Sequence, residues 1–292
     1  PENTMQYANG DYIYSPSEKS IDFDETGCVV FYNDILIAYL LSEISDEKAT
    51  EIAASVDGLV VGHLSGSINM LQIKVESADL QTLENELSIL MESADVIYAT
   101  YDCPMIFSDT FNDENPWSGD STTIKDKGNE TEPKGNDWWA EAIGAYSAWD
   151  YVDQHESELH EITVGIIDSG FDADHRDLGG KISFLENYQM NTEDNHGTHV
   201  AGIIGARNNN IGIRGVADKA NLIGVDWSPD TNNSDSPEYV NLLSTAEYAE
   251  IIKNLIENDV KVINCSWGSN QSGWDVFLSK ITDNIFNEPS LY

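Results

Sequence analysis

The apolar run at residues 162–167, ITVGII, constrains the fold of this chain more than any other feature. A strand that is apolar at every position is typical of parallel sheets whose two faces are both covered by helices. Two further apolar runs follow, and segments of helical character lie between the three, which predicts an α/β domain with a parallel sheet over residues 138–292. The later strands are 222–225 and 260–265, and the helices are 199–206 and 244–257.

The first 137 residues have a different pattern. Residues 1–26 are polar and rich in turn-forming residues, which predicts a mobile lead. Residues 27–103 alternate in the order β-α-β-β-α-β, the ferredoxin-like arrangement. Residues 104–137 combine prolines, glycines and charges, which predicts a linker. The strands of the 27–103 segment are predicted at 28–41 (one or two strands), 59–63, 69–76 and 96–101, and its helices at 46–56, with Ser45 as N-cap, and at 80–92.

Two polar residues stand where active sites form in α/β sheets. Asp168 directly follows the 162–167 strand, and ligands bind at the carboxyl ends of such strands. Taken alone, this aspartate is more simply explained as a turn or helix-cap residue. His196 begins the string HGTHVAG. The three-residue spacing of His196 and His199 is also compatible with zinc, but there is no HExxH-type frame and no third ligand is apparent.

The strings IIDSG at 166–170 and NHGTHVAGIIGA at 195–206 resemble the aspartate and histidine motifs of the subtilisin-like serine proteases, or subtilases. VINCSWGS at 262–269 is similar to the substrate-binding strand of that family. Residues 27–103 resemble its inhibitory propeptide, and WWAEAIGAYSAWD at 138–150 resembles the start of its mature enzyme. The resemblance implies a serine endopeptidase zymogen with a subtilisin-like catalytic domain.

The chemistry implied by this resemblance is acyl transfer by an Asp-His-Ser triad. Asp168 would orient His196, which would accept the serine proton and then donate it to the leaving amine. His199 is expected to be a packing residue. The propeptide would act as an intramolecular inhibitor until cleavage within residues 104–137 releases it.

The nucleophile motif of the family, G-T-S-x-A, does not occur in the 292 residues. Gly-Asn pairs, which supply the oxyanion donor in the family, occur only in the linker. We therefore expect the catalytic serine and the oxyanion asparagine to lie beyond Tyr292, and this chain alone to be inactive. Two other interpretations stay open: a pseudoprotease or binding scaffold, and one half of a split protease whose partner carries the serine.

The resemblance also implies a substrate site. Ser266, Trp267 and Gly268 would bind a peptide or protein substrate as an added strand.

A structural calcium ion is implied as well. Asp177 matches the calcium-binding carboxylate of the family, although Arg176 replaces the usual proline before it. The loop at 207–213 resembles the family's calcium loop, and an ordinary Asn-rich turn is the alternative. Oxygen ligands suit calcium. The expected ligands are the side chains of Asp177 and Asn209 and the backbone carbonyls of Arg207, Ile211 and Ile213.

The charge of the chain excludes some classes of partner. With 14 basic and 52 acidic residues, the formal net charge is −38. Nucleic acids and anionic membrane surfaces are bound largely through Lys and Arg, so neither is an expected partner. The sequence contains no run of 18 apolar residues, so it predicts no membrane-spanning helix. The family resemblance implies a secreted or cell-surface protein.

Overall fold

We describe a computed structural model of the chain over residues 4–23, 30–104, 138–185, 195–209, 212–226 and 243–266. The chain divides into two compact units. The first contains residues 1–108, 229–254 and 268–292, and the second contains residues 109–228 and 255–267. No helix in the described ranges is long and apolar enough to cross a bilayer.

The first unit is built on a six-stranded antiparallel sheet in the order β1-β2-β6-β7-β5-β8. Strands β3 and β4 pair antiparallel in a separate two-stranded sheet. Over residues 35–101 the elements follow the order β-α-β-β-α-β. The elements are β1 Thr4–Gln6, β2 Tyr12–Tyr14, β3 Ile21–Phe23, β4 Val30–Tyr32, β5 Ile35–Leu40, α1 Asp46–Ala54, β6 Leu59–Leu64, β7 Met70–Lys74, α2 Leu80–Leu90 and β8 Val96–Tyr101.

Local sequence explains the helices of this unit. The Ser45 side chain accepts the Lys48 amide at 3.3 Å, so Ser45 caps α1 as its sequence position predicts. Asp79 caps α2 in the same way, accepting the Thr82 amide at 2.9 Å. The buried faces of both helices pack on β5, whose six residues are all buried. These contacts form the main core of the unit.

The prediction of a mobile lead over residues 1–26 is wrong for the residues that the structure describes there. Strands β1, β2 and β3 lie in this segment, and Ile13 and Tyr14 are buried. The segment is polar on average, but Tyr12–Tyr14 consists of large apolar and aromatic side chains, and this short strand buries Ile13 and Tyr14. Three-residue strands are too short for sequence periodicity to reveal.

The second unit contains a four-stranded parallel sheet in the order β10-β11-β9-β12. Its core joins residues of β9 and β11 to α5. Helix α5 begins at His196, three residues before the predicted start. The elements are α3 Trp138–Ala142, α4 Ala145–Gln154, β9 Thr163–Asp168, β10 Ile182–Phe184, α5 His196–Gly205, β11 Asn221–Asp226, α6 Thr245–Glu257 and β12 Val262–Asn264.

Helix α6 is divided between the units. Its residues up to Asn254 belong to the first unit, and those from Leu255 belong to the second. The mixed α/β architecture and the parallel sheet are those predicted.

Candidate active site

Asp168 is the last residue of β9, at the carboxyl end of the parallel sheet. Its side chain is 1% exposed. The backbone amide of Ser169 donates to Asp168 Oδ1 at 2.7 Å. The carboxylate is therefore held in a fixed position at the edge where α/β sheets build their sites.

His196 is the first residue of α5, and its Nδ1 lies 2.5 Å from Asp168 Oδ1. The histidine side chain is 51% exposed, in contrast to the buried aspartate. Because a carboxylate accepts at Nδ1, a neutral imidazole carries its proton there and has its basic nitrogen at Nε2. The pair thus presents a base whose tautomer is set by a buried carboxylate.

Backbone contacts dock the start of α5 onto the turn that follows Asp168. The amide of Gly197 donates to the carbonyl of Ser169 at 2.6 Å, and the amide of Thr198 donates to the carbonyl of Gly170 at 3.0 Å. Asn195 makes no side-chain cap bond, so these carbonyls satisfy amides at the helix N-terminus. Gly170 has φ +67°, a conformation that glycine adopts without strain.

Gly197 is required sterically at this junction. A Cβ built on it would lie 2.8–2.9 Å from three atoms of the Phe171 ring. The absence of a side chain therefore lets α5 approach the Asp168 turn closely. The small residues of HGTHVAG thus have a packing role next to the histidine.

Asp226 is a site residue that the sequence analysis missed. It ends β11, it pairs in register with Asp168 on β9, and it is 4% exposed. Its Oδ1 accepts the Gly170 amide at 3.3 Å, which ties it to the turn that docks α5. The signal was present in the sequence, since the apolar run at 222–225 ends in an aspartate just as the run before Asp168 does.

Comparison with known proteins shows what this chain is similar to. Residues 160–288 match the model of the subtilase family. Subtilisin DY of Bacillus licheniformis is 39% identical over 110 residues, which are 37% of this chain and 37% of that protein. An extracellular serine protease of Serratia marcescens is 32% identical over 140 residues, 45% of this chain and 11% of that protein.

The chain therefore spans little more than a third of the length of subtilisin DY. Among solved structures, fervidolysin from Fervidobacterium pennivorans, a keratinolytic enzyme related to subtilisin, matches with a TM-score of 0.52 at 20% identity. The match covers 86% of this chain and 38% of that one. It supports a subtilisin-like fold.

Four of the five residues named for a subtilase calcium site lie in described parts of the chain, and Ile211 lies outside them. Asp177 is buried, and its Oδ2 accepts the Ile213 amide at 3.0 Å. The Arg207 amide donates to the Asp177 carbonyl at 3.0 Å, and Asn209 Nδ2 donates to the Arg176 carbonyl at 3.2 Å. The structure thus brings the predicted carboxylate and the predicted loop together.

The chemistry of the available ligand atoms shows whether calcium would fit between Asp177 and the 207–213 loop. No group of three or more His, Cys, Asp or Glu side chains suited to a metal occurs among the described residues. A carboxylate, an amide and backbone carbonyls are nevertheless all oxygen donors, which calcium accepts without such a cluster. Gly212, at φ +58°, would clash with the Asp177 carboxylate if it carried a Cβ, so the loop is closed tightly over that group. These residues fit the ion in donor type.

The structure describes only part of the segment that is predicted to bind substrate. Ser266 is exposed, and its hydroxyl accepts Asn264 Nδ2 at 2.8 Å. Trp267 and Gly268 lie outside the described residues. Within the described part of the sheet, β12 is an edge strand that pairs with β9 alone. The prediction that His199 packs inside is wrong, because its side chain is exposed on α5.

Proposed function

We propose that this chain carries the inhibitory propeptide and the Asp-His part of a secreted, subtilisin-like serine endopeptidase zymogen. The observation that carries the proposal is the 2.5 Å contact between Asp168 Oδ1 and His196 Nδ1 at the carboxyl edge of the sheet. The subtilase match of residues 160–288 includes both residues. Secretion is supported by the similarity to the extracellular serine protease of Serratia marcescens.

The mechanism assigns one role to each side chain. His196 Nε2 accepts the proton of a serine hydroxyl as the serine oxygen attacks the substrate carbonyl. His196 then donates that proton to the leaving amine, and it later activates the water that hydrolyses the acyl-enzyme. Asp168 holds the tautomer and stabilises the imidazolium. The serine and the oxyanion donor must come from residues other than these 292, which contain no G-T-S-x-A string.

The propeptide assignment is supported by contacts between residues 102–104 and the start of α6. Asp102 Oδ1 accepts the Thr245 amide at 2.8 Å, and the Cys103 amide donates to Thr245 Oγ1 at 3.3 Å. Pro104 and Ser244 form an antiparallel bridge. Helix α6 lies within the subtilase match, so the 27–103 segment binds a helix of the catalytic region. The strand order β6-β7-β5-β8 supports the ferredoxin-like topology of this domain.

The substrate strand and the calcium site complete the proposal. Ser266, Trp267 and Gly268 would bind an extended peptide beside the edge strand β12. A calcium ion held by Asp177, Asn209 and the loop carbonyls would supply positive charge that fixes the 207–213 loop against the Asp177 turn.

The test is to read the gene past the codon for Tyr292 and to express its product. If the product carries a G-T-S-x-A motif, it should cleave a chromogenic peptide after its linker is cut, and H196A should lower kcat about 10⁴-fold or more. The H199A variant is the matched control, because His199 is exposed on the same helix and should change activity little.

The other outcomes separate the alternatives. Activity that survives H196A would overturn the proposal. A reading frame that stops at Tyr292 would favour a scaffold or a split protease, and these two differ in whether a serine-bearing partner chain restores His196-dependent cleavage.

A further inference from the structure

We infer that residues 4–15 form a clasp that binds helix α6 through a buried Asp11–Lys253 ion pair and so holds the N-terminal domain on the catalytic region. The inference rests on the proposed function, in which residues 27–103 are the inhibitory propeptide. The clasp consists of β1, β2 and the turn between them, and it precedes that propeptide in the chain. All of its contacts described below lie within the first compact unit.

Asp11 is the centre of the clasp. Its side chain is 5% exposed, and its Oδ2 lies 3.0 Å from Lys253 Nζ. Its Oδ1 accepts both the amide and the hydroxyl of Ser65, at 3.1 and 2.8 Å, and Asn9 Nδ2 donates to Oδ2 at 3.0 Å. Burial raises the pKa of Asp11, but the hydrogen bonds from Lys253 and Ser65 outweigh it and leave the pKa below its ordinary value. The carboxylate is thus held in its charged form.

Lys253, the other member of the ion pair, is also buried. Its side chain is 2% exposed, whereas lysine is almost never fully buried unless it is paired. It lies in the part of α6 that belongs to the first unit. An exposed ion pair contributes little, but removing one member of a buried pair leaves an uncompensated charge and is strongly destabilising. The burial of both members therefore makes Asp11 important for the contact.

Two further contacts join the clasp to the same helix. Ser15 Oγ donates to Glu247 Oε1 at 2.7 Å. Burial, followed by the nearby carboxylates of Glu250 and Glu247, raises the pKa of Tyr7, so its hydroxyl remains a donor next to Glu250. Residues 247, 250 and 253 are spaced three apart, which places them near one face of the helix. The clasp therefore follows the helix for about two turns.

The clasp is also hydrogen-bonded to the propeptide sheet. Gln72 Oε1 accepts the Tyr14 amide at 2.8 Å, and Gln72 Nε2 donates to the Tyr14 carbonyl at 2.9 Å. The same Nε2 donates to Asp102 Oδ2 at 3.1 Å. Gly62 makes room for this side chain, because a Cβ there would lie 2.2 Å from Gln72 Oε1. One buried amide thus connects the clasp to the residue that contacts Thr245.

Charge explains why such a contact is needed. Residues 1–103 contain 19 acidic and 3 basic side chains, and the rest of the chain contains 33 and 11. The two parts therefore repel each other at long range, and this repulsion favours separation after the linker is cut. A buried cation–anion pair opposes separation at one point, and salt screens it less than it screens the surface charges.

The experiment uses the full chain with a site for a specific protease placed in residues 104–137. After the linker is cut, gel filtration and dilution give the rate at which the N-terminal fragment dissociates. We expect D11A to dissociate at least about 100-fold faster than the parent, because Lys253 loses its buried counter-charge. The double variant D11A/K253M should recover at least about 10-fold of that loss, because an apolar side chain then replaces the buried ammonium that has lost Asp11.

Two controls accompany these variants. S65A removes the hydroxyl hydrogen bond to Asp11 but keeps the backbone amide bond and the ion pair, and it should accelerate dissociation by less than about 10-fold. Far-UV circular dichroism before cleavage reports whether each variant is folded, and D11N offers a conservative replacement if D11A is not.

The outcomes distinguish the two inferences. If the parent fragment stays bound and D11A and D11N dissociate at the parent rate, the clasp is refuted and the propeptide assignment stands. If the parent fragment separates as soon as the linker is cut, both are refuted.

Discussion

Asp102 makes the stability of the first unit depend on pH in a direction that can be calculated. It is fully buried, with Gln72 and Thr245 donating to its two oxygens. Burial raises its pKa from 3.8 to about 7, because the hydrogen bonds from Gln72 and Thr245 only partly offset the loss of solvation and the Glu247 carboxylate adds repulsion. The folded state therefore holds a proton that the unfolded chain releases near pH 4.

The sign follows from proton binding. Below about pH 4 Asp102 is protonated in both states and has no pH-dependent effect. Between about pH 4 and about pH 7 the folded state binds more protons, so stability falls as the pH rises. Each pKa unit is worth 1.36 kcal/mol, which gives a loss of about 4 kcal/mol by about pH 8 as an upper bound.

The variant D102N removes this dependence. The side-chain amide that replaces the carboxylate in this variant cannot accept hydrogen bonds from both Gln72 and Thr245, which lowers the free energy of unfolding by about 1 kcal/mol at every pH. We therefore expect D102N to be less stable than the parent at about pH 4 and more stable at about pH 8. The measurement is urea unfolding read by hydrogen–deuterium exchange of peptides covering β8 and α6, with the exposed Glu92→Gln as control. Curves for D102N and the parent that stay parallel from pH 4 to pH 8 would refute the reasoning.

Three further predictions concern the second unit and the whole chain. G197A should destabilise the fold by about 1–3 kcal/mol, because the new Cβ would collide with the Phe171 ring. G202A is the control, since its Cβ would lie 3.6 Å from the nearest atom, and it should be neutral or up to about 1 kcal/mol stabilising. Thermal unfolding of the two variants measures the difference. Calcium should raise Tm and a chelator should lower it, and D177N should abolish both shifts, whereas a Tm that ignores calcium contradicts the proposed site. The 292-residue chain should not react with a fluorophosphonate serine probe, and stoichiometric labelling would show that one of its own serines is a nucleophile.

Three of the four strands of the parallel sheet were predictable because they carry apolar runs, whereas the three-residue strand β10 was not predicted. Such runs as that before Asp168 identify a strand buried on both faces without any knowledge of its neighbours. The pairing of Asp168 with His196 followed from motif resemblance, since the two residues are far apart in the sequence. The sequence predicts a start for α5 at residue 199, three residues after the observed start at His196. The difference arises because Gly197 has a low helix propensity and weakens the helical pattern at the first turn.

The contacts that sequence could not reveal depend on distant partners. Lys253 and Asp11 are individually ordinary charged residues, and only the fold shows that both are buried. The same holds for Gln72, a fully buried amide in the middle of a strand pattern. Short strands such as β1 and β2 gain their stability by pairing with an existing sheet, so their own sequence carries little periodicity.

The geometry of the Asp-His pair is a property of the backbone around it. The first amides of α5 bind the carbonyls of Ser169 and Gly170, which directly follow Asp168 in the chain, and Asp226 holds the amide of Gly170. His196 is therefore placed against Asp168 by backbone contacts of Ser169 and Gly170 and by Asp226, without any residue from outside this chain. Preorganised groups need no rearrangement during a reaction. Under the proposed function, the remaining requirement is therefore a serine hydroxyl within reach of His196 Nε2, together with donors for the oxyanion.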